Sequence, residues 1–167
     1  MMRGLVIRQA ESGDAPEIRK VLALAFETAG EADLVEALRR QGDRVLELVA
    51  TNEGELVGAI FFSRLRIIKD EGQFAAVALA PLAVAPAHQR TGIGSALVEN
   101  AHRMLREAGE TLSVVLGEPA YYGRFGYMHE RAAGFESRYQ GKYLQALAWG
   151  EAPKTGELRY PAAFAEL

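Results

Sequence analysis

The stretch from Leu79 to Ala108 constrains the fold more than any other part of the chain. It runs Leu-Ala-Pro-Leu-Ala-Val-Ala-Pro-Ala-His-Gln-Arg-Thr-Gly-Ile-Gly-Ser and then Ala-Leu-Val-Glu-Asn-Ala-His-Arg-Met-Leu-Arg-Glu-Ala. It reads as the end of a buried strand, a tight glycine-bearing turn and an amphipathic helix from about Gly92 to Ala108. Ile93, Leu97, Ala101, Met104, Leu105 and Ala108 recur on one helical face. Glu99, His102, Arg103, Arg106 and Glu107 fall elsewhere and are expected in solvent. The turn from Gln89 to Ser95 sets backbone N–H groups at a helix N-terminus. The first four amides of a helix have no internal partner, and the helix dipole adds positive potential there. Such a turn suits a phosphate or pyrophosphate, and Gly92 and Gly94 leave the backbone open to it.

The common phosphate-binding patterns are absent. Gly92-Ile93-Gly94-Ser95-Ala96-Leu97 has no third glycine for G-x-G-x-x-G, and no Gly-Lys-Ser/Thr occurs. What remains is Gln89-x-x-Gly92-x-Gly94, which resembles the acetyl-coenzyme-A signature (Gln/Arg)-x-x-Gly-x-(Gly/Ala) of the GNAT superfamily of N-acetyltransferases. Downstream, Ala120-Tyr121-Tyr122-Gly123-Arg124-Phe125-Gly126-Tyr127 is similar to that superfamily's aromatic-Tyr-x-(Arg/Lys)-x-Gly-aromatic segment. The two motifs stand in the family order at a matching separation. The resemblance covers most of the chain and is closest to the bacterial YhbS-like branch.

The resemblance implies an α/β (α+β) fold: a central mixed, mostly antiparallel sheet of about six to seven strands, flanked by helices, with a splay between strands four and five. It implies acetyl-coenzyme A as co-substrate in that splay. Pantetheine would run along Leu82, Ala83 and Val84, and pyrophosphate would sit at Gln89, Arg90, Thr91, Gly92, Ile93, Gly94 and Ser95. It also gives Tyr122 the catalytic place of the family tyrosine that protonates or hydrogen-bonds the coenzyme sulfur. Tyr121 and Phe125 read as packing neighbours. The implied reaction is direct transfer of an acetyl group to a primary amine within a ternary complex. The physical reading agrees: a pantetheine arm carries two amides that can pair with a free strand edge, and backbone N–H groups near Leu82 to Val84 can serve a developing oxyanion. One position departs from the family. Many members carry Asn just after the fifth strand, where this chain has Glu118.

Taken in order, Leu5 to Arg8 reads as a strand, and Asp14-Ala15-Pro16-Glu17 as a helix start capped by Asp14. Ile18, Val21, Leu22, Ala25 and Phe26 form one apolar face. A second helix spans roughly Glu31 to Arg40 and ends at Gly42. Val45 to Thr51 and Glu55 to Arg66 form an antiparallel pair around Asn52-Glu53-Gly54. Phe74 to Val84 is apolar on both faces and reads as the central strand. Pro81 cannot donate to a ladder, so it marks a defect in pairing. Thr111 to Leu116 completes a β–α–β unit, Gly117-Glu118-Pro119 opens a short helix, and Tyr143 to Trp149 alternates as a late strand. The tail through Tyr160 and Phe164 packs back on the body. Residues 1–167 read as a single domain.

The net charge of −3, without a basic run, argues against a nucleic-acid partner. With no cysteine there is no disulfide, thiolate metal site or cysteine acyl-enzyme. The N-terminal run from Met1 to Ile7 is too short for a signal peptide. The longest apolar stretch, Phe74 to Ala87, falls short of the ~20 residues that span a bilayer. The expected location is the cytoplasm, without membrane association. His88, His102 and His129 lack metal-ligand spacing, so no metal is expected. No Gly-x-Ser-x-Gly elbow occurs. Glu27, Glu31, Glu118 and His129 are candidates for a general base, and a water path would need none of them. The alternative to an enzyme is a non-catalytic acyl-coenzyme-A-binding sensor or interaction module, against which Tyr122 argues. A nucleotide-binding domain is a third reading, testable by competition with ATP. The acceptor stays open between a small amine, an antibiotic amine and a protein amine, as does acetyl against a longer acyl group. A homodimer through the C-terminal strand is possible.

Overall fold

The computed structural model describes residues 4–166. Met1 to Arg3, part of the run weighed as a leader, and Leu167 lie outside the described residues. Eight strands form one sheet: β1 (Leu5–Gln9), β2 (Arg44–Asn52), β3 (Glu55–Lys69), β4 (Gly72–Val84), β5 (Leu112–Leu116), β6 (Phe135–Glu136), β7 (Leu144–Ala148) and β8 (Gly156–Arg159). The helices are α1 (Ala15–Phe26), α2 (Gly30–Arg40), α3 (Ile93–Glu107), α4 (Pro119–Tyr122) and α5 (His129–Ala132). The main path of the sheet is β1-β2-β3-β4-β5-β7. Within this path only β4 and β5 run parallel. β8 pairs with the far end of β3, and β6 runs parallel to β8. These two short strands extend the expected six to seven. At two and four residues they are too brief for an alternating pattern to register.

Period-two alternation along β3 divides the interior between two layers. Ile60 and Phe62 face α3, joining Ile93, Leu97, Ala101 and Leu105. Ala59 and Phe61 face α1 and α2, joining Ile18, Leu22, Leu34 and Leu38. A third cluster beneath the β4–β5–β7 end gathers Leu65, Ala78, Val114, Phe135 and Leu144. Gly58 brings α3 close to the sheet, since a Cβ there would stand 3.1 Å from both Ile93 and Leu97. On the other face α2 is tied to β2 through buried Glu47, which accepts a 2.9 Å hydrogen bond from Arg39 Nε.

Two local expectations change. Asp14 precedes α1, but its carboxylate is already committed. It accepts from Arg8 at 2.7 and 3.0 Å and from the Glu11 amide at 2.7 Å, closing the turn before the helix. His102 is buried, with its ring edge-on to Phe62 and Trp149. The side of α3 read as solvated is roofed there by the C-terminal third of the chain, which helical periodicity cannot reveal.

The pairing defect at Pro81 is real and has a direct geometric result. β3 and β4 are in register as Ile60 with Leu82 and again as Phe62 with Leu79. Phe61 therefore stands opposite two residues, Ala80 and Pro81, which makes a β-bulge. The extra residue reverses which side chains face α3. Val77 and Leu79 do so before the bulge, and Leu82 and Val84 after it. Parallel pairing with β5 stops at Leu79 with Val115. From Ala80 to Val84 the β4 edge has left its neighbour, and the sheet opens into a cleft.

Candidate active site

Two clefts meet where β4 and β5 diverge. One, of about 840 Å³, lies on the α3 side between the end of β4, the Gln89–Ser95 turn and α4. The other, of about 730 Å³, lies between β4, β5 and the α1–α2 connection. Leu82 and Tyr122 line both, so the end of β4 and this tyrosine form the partition at the splay.

The first cleft is built around the start of α3. Gly92 precedes the helix at φ 90°, and Arg90 also takes a left-handed conformation at φ 65°. The first intrahelical bond runs from the Ala96 amide to the Gly92 carbonyl, which leaves the amides of Ile93, Gly94 and Ser95 at the open end. The Gln89 side chain braces the turn by donating from Nε2 to the Val84 carbonyl at 3.0 Å. The Thr91 hydroxyl donates to the His88 carbonyl. A Cβ on Gly94 would come within 2.6 Å of the Tyr121 hydroxyl and 3.7 Å of Val84, so glycine keeps this passage clear.

Of the ten residues assigned to the coenzyme, eight line this cleft: Leu82, Val84, Gln89, Arg90, Gly92, Ile93, Gly94 and Ser95. Ala83 instead packs toward the α1 layer, so only its backbone reaches the splay. Thr91 acts within the turn. Arg124, quoted in the downstream motif without a role, also lines the cleft. Its Nη2 donates to Ser95 Oγ at 3.4 Å, and its guanidinium carbon lies 4.7 Å above the Tyr121 ring. With Arg90 it adds positive charge beside the free amides, while Glu118 brings one carboxylate to the same cleft. Tyr121, expected only to pack, forms part of the wall.

Tyr122 is held on three sides. Its ring meets the Tyr121 ring at 5.0 Å and 88° and the Tyr127 ring at 5.9 Å and 88°. On the third side lies Gly117, where a Cβ would stand 2.5 Å from Tyr122 Cε2. Tyr127 is in turn fixed from behind, with its hydroxyl 2.8 Å from Ser113 Oγ and 3.0 Å from His102 Nε2. Burial pushes the Tyr122 hydroxyl up to about 12, with the neighbouring Tyr121 adding to the shift, so it holds its proton at neutral pH. Burial pulls His102 down to about 4, with Arg106 adding to the shift, and the imidazole is neutral there.

The base candidates separate by position. Glu31 lines the second cleft and Glu118 the first. Glu27 caps α1 in a left-handed conformation at φ 60°, and the ring of His129 is within 3.0 Å of the Leu144 carbonyl through Nδ1. Neither of these lines the two clefts. Among the described residues no group of three or more His, Asp or Glu side chains is placed to hold a metal ion, and no helix is long and apolar enough to cross a membrane.

Comparison with known proteins agrees with this geometry. Residues 6–129 match the acetyltransferase (GNAT) domain family. The chain is 37% identical over 144 residues to the uncharacterized N-acetyltransferase YhbS of Escherichia coli K12, covering 81% of this chain and 85% of that protein. The crystal structure of E. coli YhbS in complex with CoA superposes with a TM-score of 0.88 at 32% identity, over 96% of this chain and 92% of that one. A GNAT family acetyltransferase from Brucella melitensis, in complex with acetyl-CoA, superposes with a TM-score of 0.82 at 34% identity, over 96% and 97% of the two chains.

Proposed function

Because the chain belongs to the GNAT family of acetyltransferases, we propose that it transfers an acetyl group from acetyl-coenzyme A to a primary amine by direct attack in a ternary complex. The observation that carries this reading is the pair of clefts meeting at Leu82 and Tyr122. One is shaped and charged for a pyrophosphate-bearing donor, and the other is open to a second reactant. The coenzyme complexes of the E. coli and Brucella proteins support the donor assignment.

Acetyl-coenzyme A supplies the thioester, an acyl group on a sulfur leaving group. The free amides of Ile93, Gly94 and Ser95, with Arg90 and Arg124, would hold the pyrophosphate. The edge of β4 at Leu82, Ala83 and Val84, paired with β3 on one side and left by β5 on the other, would pair with the pantetheine amides and offer an N–H group to charge developing on the carbonyl oxygen. The amine forms the new N–C bond as the C–S bond breaks. The amine gives up its proton to water or to a carboxylate at the second cleft, and the departing thiolate ends as free thiol.

Tyr122 faces the point where that thiolate would emerge. A phenol at about 12 is a much weaker acid than an ordinary thiol at ~8.5. Burial favours the neutral phenol over the phenolate, so Tyr122 is better suited to donating a hydrogen bond than to giving up its proton. Its role is to donate a hydrogen bond to the sulfur, with solvent supplying the proton. Tyr122→Phe should therefore lower amine-dependent thiol release about 10- to 100-fold while leaving the acetyl-coenzyme A dissociation constant within threefold. Unchanged turnover in that variant would remove Tyr122 from the reaction.

A further inference from the structure

Besides Tyr122, the second cleft is walled by aromatic rings from three further parts of the chain. Phe26 comes from the end of α1, Tyr139 from the β6–β7 connection, and Tyr160 and Phe164 from the C-terminal segment. Tyr139 and Tyr160 meet at 5.2 Å and 87°, and Tyr160 and Phe164 at 5.1 Å. Two charged side chains face this apolar space, Glu31 and Arg138. They are not equivalent.

Glu31 is already engaged at the start of α2. It accepts from the Thr28 hydroxyl at 3.1 Å, and that hydroxyl accepts from the Gly30 amide at 3.3 Å. Its charge sits in the first turn, where the helix dipole favours it. Arg138 is anchored on one side only. Its Nη2 donates to Tyr139 Oη at 2.6 Å and to the Phe164 carbonyl at 2.9 Å, and its guanidinium carbon lies 4.8 Å over the Tyr139 ring. Among the described residues it forms no ion pair. This pose holds the guanidinium over the ring and leaves its charge without a carboxylate partner among the described residues, with Nε and Nη1 each free to donate a single charge-assisted hydrogen bond to an anion.

We propose that Arg138 is the specificity-determining residue of the acceptor cleft, and that the acceptor is an amine with an apolar or aromatic body bearing a carboxylate, which Arg138 binds while the amine points to the splay at Leu82 and Tyr122. This rests on the acetyltransferase reading above. A cleft of about 730 Å³ has room for an acceptor larger than a single amino acid. The carboxylate therefore has two placements to test, close to the amine or at the far end of the body.

The test measures kcat/KM by thiol release with 2-phenylethylamine, L-phenylalanine and 4-(2-aminoethyl)benzoate. In the last the carboxylate is too remote to alter the basicity of the amine. At least one carboxylate probe should exceed 2-phenylethylamine by about tenfold or more. Arg138→Gln should bring that ratio to within about twofold without changing the acetyl-coenzyme A dissociation constant, and Arg138→Lys should restore part of it. Melting curves identify any variant that loses its fold, and the Lys variant keeps the charge should Gln prove unstable. Equal or better use of 2-phenylethylamine, or a carboxylate preference that survives in Arg138→Gln, would overturn the proposal. So would transfer to none of the three by a protein that binds acetyl-coenzyme A, an outcome that leaves the donor assignment standing. Failure of acetyl-coenzyme A to bind would instead fall on the acetyltransferase reading itself.

Discussion

Gly117→Ala tests the placement of Tyr122 without touching the tyrosine. Gly117 is not in the left-handed region, so the backbone accepts a side chain there. Its amide donates to the Tyr143 carbonyl at 3.0 Å and its carbonyl accepts from Gln145 Nε2 at 3.0 Å, which pins the main chain on both sides. The added Cβ would stand 2.5 Å from Cε2 and 3.0 Å from Cδ2 of the Tyr122 ring. Carbon atoms in contact sit at about 3.5–4.0 Å, so the ring must retreat by about 1 Å. It cannot do so freely, because the Tyr121 and Tyr127 rings box it in. A misplacement of that size costs on the order of 100-fold in rate, and the overpacking costs about 1–3 kcal/mol in stability. Amine-dependent thiol release should therefore fall at least tenfold in a protein that melts several degrees lower and still binds acetyl-coenzyme A. Full turnover in a folded Gly117→Ala protein would refute the claim that the position of this ring governs the rate.

Two further outcomes follow from the same geometry. In Gly94→Ala the new methyl enters the passage between the Tyr121 hydroxyl, 2.6 Å away, and Val84, 3.7 Å away. Acetyl-coenzyme A should bind about tenfold more weakly, a loss of about 1.4 kcal/mol, with kcat at saturation nearly unchanged; unaltered affinity would move the pyrophosphate elsewhere. His102 gives a pH signature. Its folded value, about 4, lies below the unfolded value of ~6.5, so the unfolded chain takes up the proton first as pH falls. The stabilisation is complete above ~6.5 and drains away toward pH 4, with a loss of about 2 kcal/mol between pH 7 and 5. Denaturant melts of wild type and His102→Leu should diverge in slope over that window, and parallel slopes would contradict a buried neutral imidazole.

The parts of the fold that were legible in the sequence are those written in local pattern. The strand–turn–helix around Gly92 and Gly94, the bulge forecast by Pro81, and the helical faces of α1 and α2 all follow from residues within a few positions of one another. Most of the first cleft came with them, since nine of its lining residues sit on that one stretch. What periodicity does not carry is contact between distant segments. His102 lies off the apolar face of its own helix, yet the aromatic edge of Tyr127 and Trp149 covers it. Gly117 looked like a strand terminator, and its fit against Tyr122 appears only once α4 folds back. The aromatic wall of the second cleft brings together residues up to about 140 positions apart, from Phe26 to Phe164. No spacing rule connects them. A signal for Arg124 was present in the downstream motif, one position between two glycines, and the pairing with Ser95 supplies its reason.

The central claim is that the splayed end of β4 and the start of α3 form a site for acetyl-coenzyme A. Calorimetric titration of the purified protein with acetyl-coenzyme A, alongside free coenzyme A and ATP, tests it most directly. The account predicts saturable binding of one acetyl-coenzyme A per chain and none of ATP. A folded protein that takes up no acetyl-coenzyme A would contradict it.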